Sequence, residues 1–406
     1  MQAAVNSDAT EALPARSVVT RKPQAALSLA PALRKLVRDT GSSYFQVMRE
    51  YFRLSLGPGQ LTFPEYFQLR SIGCEFPATA ESKAFVGIRT ARKIWLQANF
   101  RAEFLELLGN KVAGIALFAA YGLPTIPTLA MFSTRAGVAA PSLLPDADAL
   151  RSFLTDETHY PLFGKPIGGT QSLGSSSLVR YRRADDHLVD IAGDAIPLDD
   201  FIADLTTYYG GGYLFQRRVV PHAAVRDICG DRLATLRILT IFAEGKPRIL
   251  RACWKIPAGK NGADNFWRPG NLLAQFDRDT GRIHRVIRRT ADGIEEVSHH
   301  PDSGRPLLGT RVPNWHAASE AAIEAAKVVP QVGMIGWDVA AVDTGAVIVE
   351  SNCTPNLMLH QLADRRGILD AELLSFLAER RRMAADWRKE LKRRLIETAV
   401  VELTHQ

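Results

Sequence analysis

Near the carboxyl end of the chain, two short segments place three oxygen-bearing side chains on strands joined by a glycine-containing turn. The alternation in 336–340 puts Asp338 on the face opposite its apolar neighbours. The turn then reverses the chain into 347–352, so that Glu350 and Asn352 come to lie beside Asp338. Carboxylate and amide oxygens are ligands that Mg²⁺ prefers. The pattern therefore predicts a β-hairpin with a divalent-cation site and favours a nucleotide site upstream.

The two carboxylates of this hairpin have an alternative interpretation as members of surface ion pairs. Both lie among Val, Ile and Trp residues, and an acidic group in such surroundings is costly to bury without a cation. We therefore favour metal binding.

A lysine followed by a loop of small residues forms a second informative segment. Lys165 ends a short apolar stretch, and the loop 167–177 is rich in glycine and serine. Glycine lets backbone N–H groups approach phosphate oxygens, serine adds donors, and lysine adds a positive charge. In a P-loop the lysine follows the loop, so a P-loop NTPase is disfavoured. The segment predicts either a phosphate-binding flap or a flexible hairpin.

Composition narrows the class of protein without choosing a ligand. The chain has 406 residues, 46% of them hydrophobic, which fits a globular protein of about two or three domains. The net charge of +7 favours anionic partners, whether nucleotides, acidic sugars, nucleic acid or phospholipid. Four scattered cysteines lack metal-ligand spacing, and no apolar run approaches the roughly 18 residues of a membrane span. We expect a reducing, cytoplasmic setting.

The two ends of the chain differ from its centre. Residues 1–31 are Ala/Ser-rich and predict a disordered tail, and 32–109 show helical spacing of apolar residues. The segment 361–406 predicts one or two amphipathic helices whose basic face includes 380–382. Packing on the body of the protein is the favoured role for these helices, and peripheral contact with a membrane surface or an acidic partner is the alternative.

Taken in order, the central segments resemble the ATP-grasp superfamily, and within it the sugar-transfer-associated group related to α-L-glutamate ligases. The resemblance covers 110–357. Its most specific parts are 234–240, 263–266, 336–338 and 350–352. It implies an α+β ATP-grasp fold in which two α+β subdomains clasp ATP, preceded by the helical region and followed by the amphipathic helices. The subdomains would be 110–212, with the flap, and 213–360, with the metal site.

The same resemblance implies roles for individual residues. The nucleotide-binding residues would be Lys111, Lys165, Gly168, Gly169, Ser175, Gln216, Arg217 and Val219. The metal ligands would be Asp338, Glu350 and Asn352, and the catalytic residues Arg237, Lys255 and Asn265. Arg237 would stabilise the transferring phosphoryl group through its planar fork, and Gln216 would accept from the adenine amine. Without the resemblance, a surface position is the default interpretation of Lys111, and the alternative for Arg237 is an outward-facing charge on a half-buried strand.

The function implied by the resemblance is an ATP-dependent ligation. ATP and two Mg²⁺ ions, with Mn²⁺ as the alternative ion, would convert a carboxylate into an acyl phosphate that an amine captures, releasing ADP and an amide. Partners would be a small-molecule carboxylate and amine, one of them a saccharide or cell-surface precursor, and no nucleic acid. An ATP-grasp kinase and a non-catalytic nucleotide or membrane-surface binding protein are the alternatives.

Overall fold

The computed structural model describes residues 29–135, 142–168, 174–290 and 293–404. The predicted tail lies outside these residues, except for its last three positions, which begin the first helix. The helices are α1 (Leu29–Thr40), α2 (Tyr44–Leu56), α3 (Phe63–Ser71), α4 (Ala80–Lys83), α5 (Ile88–Ala98), α6 (Ala102–Gly109), α7 (Lys111–Ala120), α8 (Ala147–Thr155), α9 (Leu198–Tyr208), α10 (Ala223–Cys229), α11 (Trp315–Val328), α12 (Leu357–Asp364) and α13 (Ala371–Thr404), with a 3₁₀ turn at Glu157–His159.

The strands form two sheets, which confirms the predicted α+β class. They are β1 (Thr128–Phe132), β2 (Leu143–Leu144), β3 (Leu162–Pro166), β4 (Ser176–Arg182), β5 (His187–Asp190), β6 (Ala195–Pro197), β7 (Tyr213–Arg217), β8 (Thr235–Ala243), β9 (Lys246–Ile256), β10 (Leu272–Phe276), β11 (Ile283–Arg289), β12 (Ile294–Glu296), β13 (Met334–Val342) and β14 (Gly345–Asn352). No helix in the described ranges is both long and apolar enough to cross a membrane.

Both sheets have seven strands, and the one with the shorter strands is here called the small sheet. Its strand order is β2-β1-β7-β3-β4-β5-β6, and it is antiparallel except for the β1–β2 pair. Helices α8 and α9 cover one face, where Leu150, Leu154, Phe201 and Leu205 are fully buried. Strand β7 lies in the middle of this sheet, although the predicted boundary at 212 assigned it to the second subdomain. The chain therefore leaves the small sheet only after Arg217.

The large sheet has the order β12-β11-β10-β9-β8-β13-β14, with antiparallel neighbours throughout. Helix α11 packs on one face, where its buried alanines share a hydrophobic core with Trp254 and Trp337. The other face is covered by the N-terminal helices and α12, which share a core with Cys253, Leu273 and Ile287. The side chains of the candidate site project from this second face.

The C-terminal helix α13 docks against α5 and the large sheet through Leu373, Phe376 and Leu377. Its predicted basic face needs one correction, because Arg380 is only 1% exposed. The guanidinium donates to the carbonyl oxygens of Ala98 and Gln331, each at 2.8 Å. Carbonyl groups can satisfy an arginine inside a protein, which the charge pattern alone could not reveal.

Candidate active site

An arginine and an aspartate face each other on the neighbouring strands β8 and β13. Nε and Nη2 of Arg237 donate to the two carboxylate oxygens of Asp338 at 2.7 and 2.9 Å. Each side chain retains 11% of its exposure. Burial alone would raise the pKa of Asp338, but the charges of Arg237 and Lys255 outweigh it and hold that pKa at about 2. Asp338 is therefore an anion throughout the neutral range.

Lys255 extends this pair into a buried chain of four charges. Its Nζ lies 3.1 Å from Asp338 Oδ1 and 3.4 Å from Asp264 Oδ1. The other oxygen of Asp264 accepts from the backbone N–H of Thr235 at 2.8 Å. Burial raises the pKa of Asp264 in spite of the opposing charge of Lys255. Two cations and two carboxylates thus stabilise one another beside the hairpin.

Within the predicted segment 263–266, the residue that joins this chain is Asp264, whereas the residue that the resemblance named as catalytic is its neighbour Asn265. Oδ1 of Asn265 accepts from the backbone N–H of Trp267 at 3.2 Å and so helps to shape the turn that follows. The sequence signal for Asp264 was that it is a carboxylate close in sequence to Lys255, with which it could pair if both were buried.

The hairpin brings together the three predicted metal ligands. Glu350 is directly opposite Asp338, and Asn352 is opposite Gly336. The amide nitrogen of Asn352 is buried and has no hydrogen-bond partner among the described residues. Within those residues, no group of three His, Cys, Asp or Glu side chains is arranged to hold a metal ion. A cation here would therefore need the amide oxygen, or oxygens of a ligand, in addition to the two carboxylates.

Two lysines reach strand β14 from different directions. Lys165, on β3, points Nζ toward the carbonyl oxygen of Val349 at 3.5 Å. Lys111 begins α7, and its Nζ lies 4.0 Å from Glu350 Oε2 and 3.4 Å from the carbonyl oxygen of Pro166. Burial lowers the pKa of Lys165 to about 8, aided by the charge of Lys111 and opposed by that of Glu350. An anionic ligand bound next to the two lysines would reduce the electrostatic repulsion between them.

The predicted adenine contact, Gln216, is fully buried on β7. Its Nε2 donates to the carbonyl oxygen of Ile126 at 3.2 Å, while Oε1 is buried without a partner among the described residues. Such an acceptor costs about 1–3 kcal/mol until a donor satisfies it. Arg217 is exposed at the end of β7, and Val219 is partly buried in the segment that crosses to the large sheet.

The glycine-rich flap is described only at its two ends. A side chain at Gly168 would meet no described atom within 4 Å, and Gly169 lies outside the described residues. Gly174 has a φ of +73°, and a Cβ there would come within 2.4 Å of a tyrosine hydroxyl, so this position requires glycine. Ser175 lines a cavity of about 240 Å³ between the flap and the loop 259–263.

His360 is a further buried group beside the cluster. It lies on α12, and neither ring nitrogen has a hydrogen-bond partner among the described residues. Burial lowers its pKa to about 3, and the charges of Arg237 and Arg251 act in the same direction. The ring is therefore neutral.

Comparison with known proteins links this arrangement to a family. A model of the family described as sugar-transfer associated ATP-grasp matches residues 90–374. The comparison with curated proteins found no match.

Several solved structures are distantly similar. The D-alanine–D-alanine ligase from Coxiella burnetii is 12% identical, with a TM-score of 0.41 over 72% of this chain and 62% of that one. The D-alanine–D-alanine ligase from Bacillus anthracis complexed with ATP is 14% identical, with a TM-score of 0.37 over 70% and 68%. An ADP complex of N5-carboxyaminoimidazole ribonucleotide synthetase is 13% identical, with a TM-score of 0.37 over 68% and 53%. The chain thus spans about half the length of the synthetase.

Proposed function

Because the chain belongs to the sugar-transfer associated ATP-grasp family, we propose that it is an ATP- and Mg²⁺-dependent ligase. It would join a carboxylate to an amine through an acyl phosphate, with ADP and phosphate as the other products. The observation that carries this proposal is that Lys111 approaches Glu350, which lies opposite Asp338, while Lys165 approaches the carbonyl oxygen of the preceding residue, Val349. Cations next to carboxylates suit a polyphosphate that binds together with a divalent metal ion.

The chemistry of the hairpin residues fits such an ion. Asp338, Glu350 and Asn352 offer hard oxygen atoms from neighbouring positions on β13 and β14, and they would hold the Mg²⁺ ions. Asp338 already accepts from Arg237 and Lys255, so the ion would share this carboxylate with them. When bound, the metal would neutralise charge on the phosphate oxygens.

In this proposal, adenine binds beside Gln216 of the small sheet. Oε1 of Gln216 is a buried acceptor that lacks a donor among the described residues. The exocyclic amine of adenine is a donor of the required kind. This match supports an adenine nucleotide over one that presents a carbonyl oxygen at the same ring position.

The proposed reaction needs positioning and charge stabilisation. Lys111 and Lys165 would bind the phosphates while a substrate carboxylate attacks the γ-phosphorus and ADP leaves. Arg237 would orient the transferred phosphoryl group, and Lys255 would keep Asp264 and Asp338 in place. The amine would then attack the acyl carbon and displace phosphate.

A protein nucleophile is not part of this proposal. Cys253 lies opposite Arg237 in the β8–β9 register, and burial strongly raises the pKa of its thiol despite the adjacent guanidinium. The reactive thiolate is therefore disfavoured.

The test uses hydroxylamine as the amine, with pooled carboxylic acids, ATP and Mg²⁺. A ligase of this kind forms a hydroxamate together with ADP, because hydroxylamine captures an acyl phosphate. ADP formation with a phosphorylated acceptor and no hydroxamate would instead identify a kinase. Mass spectrometry of the products would name the carboxylate.

A further inference from the structure

Helix α2 lies before the part of the chain that the family model matches, and none of its residues takes part in the proposed reaction. It has apolar residues on two faces. Val47 and Leu54 are buried on the inner face, where they join the core of the N-terminal helices. Phe45, Phe52 and Leu56 are 74%, 53% and 84% exposed. These three residues are called here the α2 stripe.

The α2 stripe follows one side of the helix. Its positions are seven and four residues apart, so in an α-helix the three side chains project within about 40° of one another. Val47 and Leu54 project from the opposite side by the same spacing. The stripe runs from the first turn of the helix to its last residue. Apolar side chains that are exposed in a line, instead of singly, indicate an interaction site.

The helix that carries the stripe is capped and anchored. Oγ of Ser43 accepts from the backbone N–H of Gln46 at 3.2 Å, and Oε1 of Gln46 accepts from the backbone N–H of Ser43 at 2.7 Å. On the inner side, the hydroxyl of Tyr66 donates to Glu50 at 2.7 Å, and Arg70 Nε lies 3.4 Å from the same carboxylate. The stripe is therefore presented by a helix that is stabilised without an external partner.

The surroundings of the stripe are positively charged. Residues 29–56, which form α1, α2 and the turn between them, contain five basic and two acidic residues. Both carboxylates are already paired, Asp39 with Lys35 at 2.7 Å and Glu50 with the arginine described above. The remaining positive charge of these helices, which includes the exposed Arg49, favours an anionic partner.

Arg49 distinguishes between the candidate occupants of the stripe. It lies four residues after Phe45 and three before Phe52, so its guanidinium is placed among the apolar side chains. In a two-fold dimer that buries the stripe, each Arg49 would face the other copy or apolar groups, which is costly. The headgroups of an anionic membrane neutralise this cation, while aromatic and leucine side chains enter the boundary between headgroups and acyl chains.

We propose that α2 binds the surface of an anionic phospholipid bilayer. Phe45, Phe52 and Leu56 enter the boundary below the headgroups, and Arg49 pairs with the headgroups beside them. The contact is peripheral, and it lies at the opposite end of the chain from the basic helix for which the sequence suggested membrane contact. It goes beyond the proposed ligase activity and does not depend on it.

Co-sedimentation of the full chain with vesicles tests this proposal. The wild type should bind vesicles of equal parts phosphatidylcholine and phosphatidylglycerol at least about tenfold more tightly than phosphatidylcholine alone. Phe45→Ser combined with Leu56→Ser should weaken this binding at least about tenfold, and Arg49→Gln about fivefold. The controls Leu96→Ser on α5 and Arg381→Gln on α13 remove an exposed apolar side chain and an exposed cation elsewhere, and should leave it unchanged.

The substituted side chains are exposed, so the variants should keep the circular dichroism of the wild type. Equal vesicle binding by the wild type and the double variant, or a loss of binding confined to Arg381→Gln, would overturn the proposal. A dimer that the double substitution dissociates, without any vesicle binding, would identify a second copy as the occupant and overturn it as well. Residues 2–28 lie outside the described residues; vesicle binding that appears only after their removal would identify them as the occupant instead.

The membrane surface and the ligase activity can fail separately. The double variant should retain hydroxamate formation from soluble substrates, because the stripe takes no part in the reaction. Vesicle binding without ADP release under any condition would refute the proposed function and retain the membrane surface. Hydroxamate formation without vesicle binding would refute the membrane surface and retain the proposed function.

Discussion

Lys165 provides a quantitative test of the nucleotide site. Lys165 is 5% exposed on β3, and burial together with the charge of Lys111 lowers the pKa of its ammonium group to about 8. Phosphates that bind beside it would add negative charge and return the pKa toward the usual value of about 10.4. Nucleotide binding should therefore take up a proton whenever Lys165 is neutral in the free protein.

The size of this uptake follows from the pKa. With a free-state pKa of about 8, the uptake is about 0.1 proton at pH 7, about 0.5 at pH 8 and about 0.9 at pH 9. The sign is fixed because the complex contains the charged lysine. Affinity is therefore highest below the free-state pKa and falls about tenfold between pH 7 and pH 9.

Calorimetry with a non-hydrolysable ATP analogue and Mg²⁺, in buffers of different ionisation enthalpy, measures the uptake directly. Lys165→Met should abolish it and weaken binding at pH 7 by about 10- to 100-fold, because a charge-assisted contact to phosphate is lost. Lys246→Met, at an exposed position, should leave both quantities unchanged. Binding heats that do not vary with the buffer, or an uptake that persists in Lys165→Met, would refute the reasoning.

Two further changes test the buried charges and the adenine contact. Lys255→Met should lower the free energy of unfolding at neutral pH by about 3–5 kcal/mol, because Asp264 and Asp338 lose their shared buried partner. Burial raises the pKa of Asp264 in the folded protein, so its protonated form is favoured there, and the loss of unfolding free energy should shrink as the pH falls through that pKa. Urea unfolding at a series of pH values measures this change. A loss of unfolding free energy that does not vary with pH would contradict the prediction. Gln216→Leu should weaken ATP binding about tenfold without weakening binding of inosine triphosphate, which lacks the exocyclic amine. Equal losses for both nucleotides in a direct binding assay would show that Gln216 does not contact that amine.

Local patterns in the sequence were sufficient for the hairpin. Alternation around Asp338 and the glycine-containing turn predicted two paired strands, and β13 and β14 pair with Asp338 opposite Glu350. Period-two alternation and turn residues act within a few positions, so a single sequence reveals them.

Features that depend on distant parts of the chain were not predictable in this way. Strand β7 joins the small sheet through pairing with β1 and β3, and no property of 213–217 alone selects those partners. The burial of Arg380 depends on carbonyl oxygens supplied by α5 and by the loop before β13. Asp264 lies within the predicted segment 263–266, but its contact with Lys255 could not be predicted because it requires the β9–β10 connection to fold back.

The most direct test of the account is ADP release under conditions in which an acyl phosphate can be trapped. Wild-type protein with ATP, Mg²⁺, hydroxylamine and pooled carboxylic acids should form ADP and hydroxamate in equal amounts. Asp338→Asn and Glu350→Gln should abolish both products while preserving the fold, as judged by circular dichroism, and Asp338→Asn should also lower the melting temperature because Arg237 and Lys255 lose their shared anion. Undiminished ADP release by either variant at saturating Mg²⁺ would contradict the assignment of these carboxylates as the metal end of an ATP site.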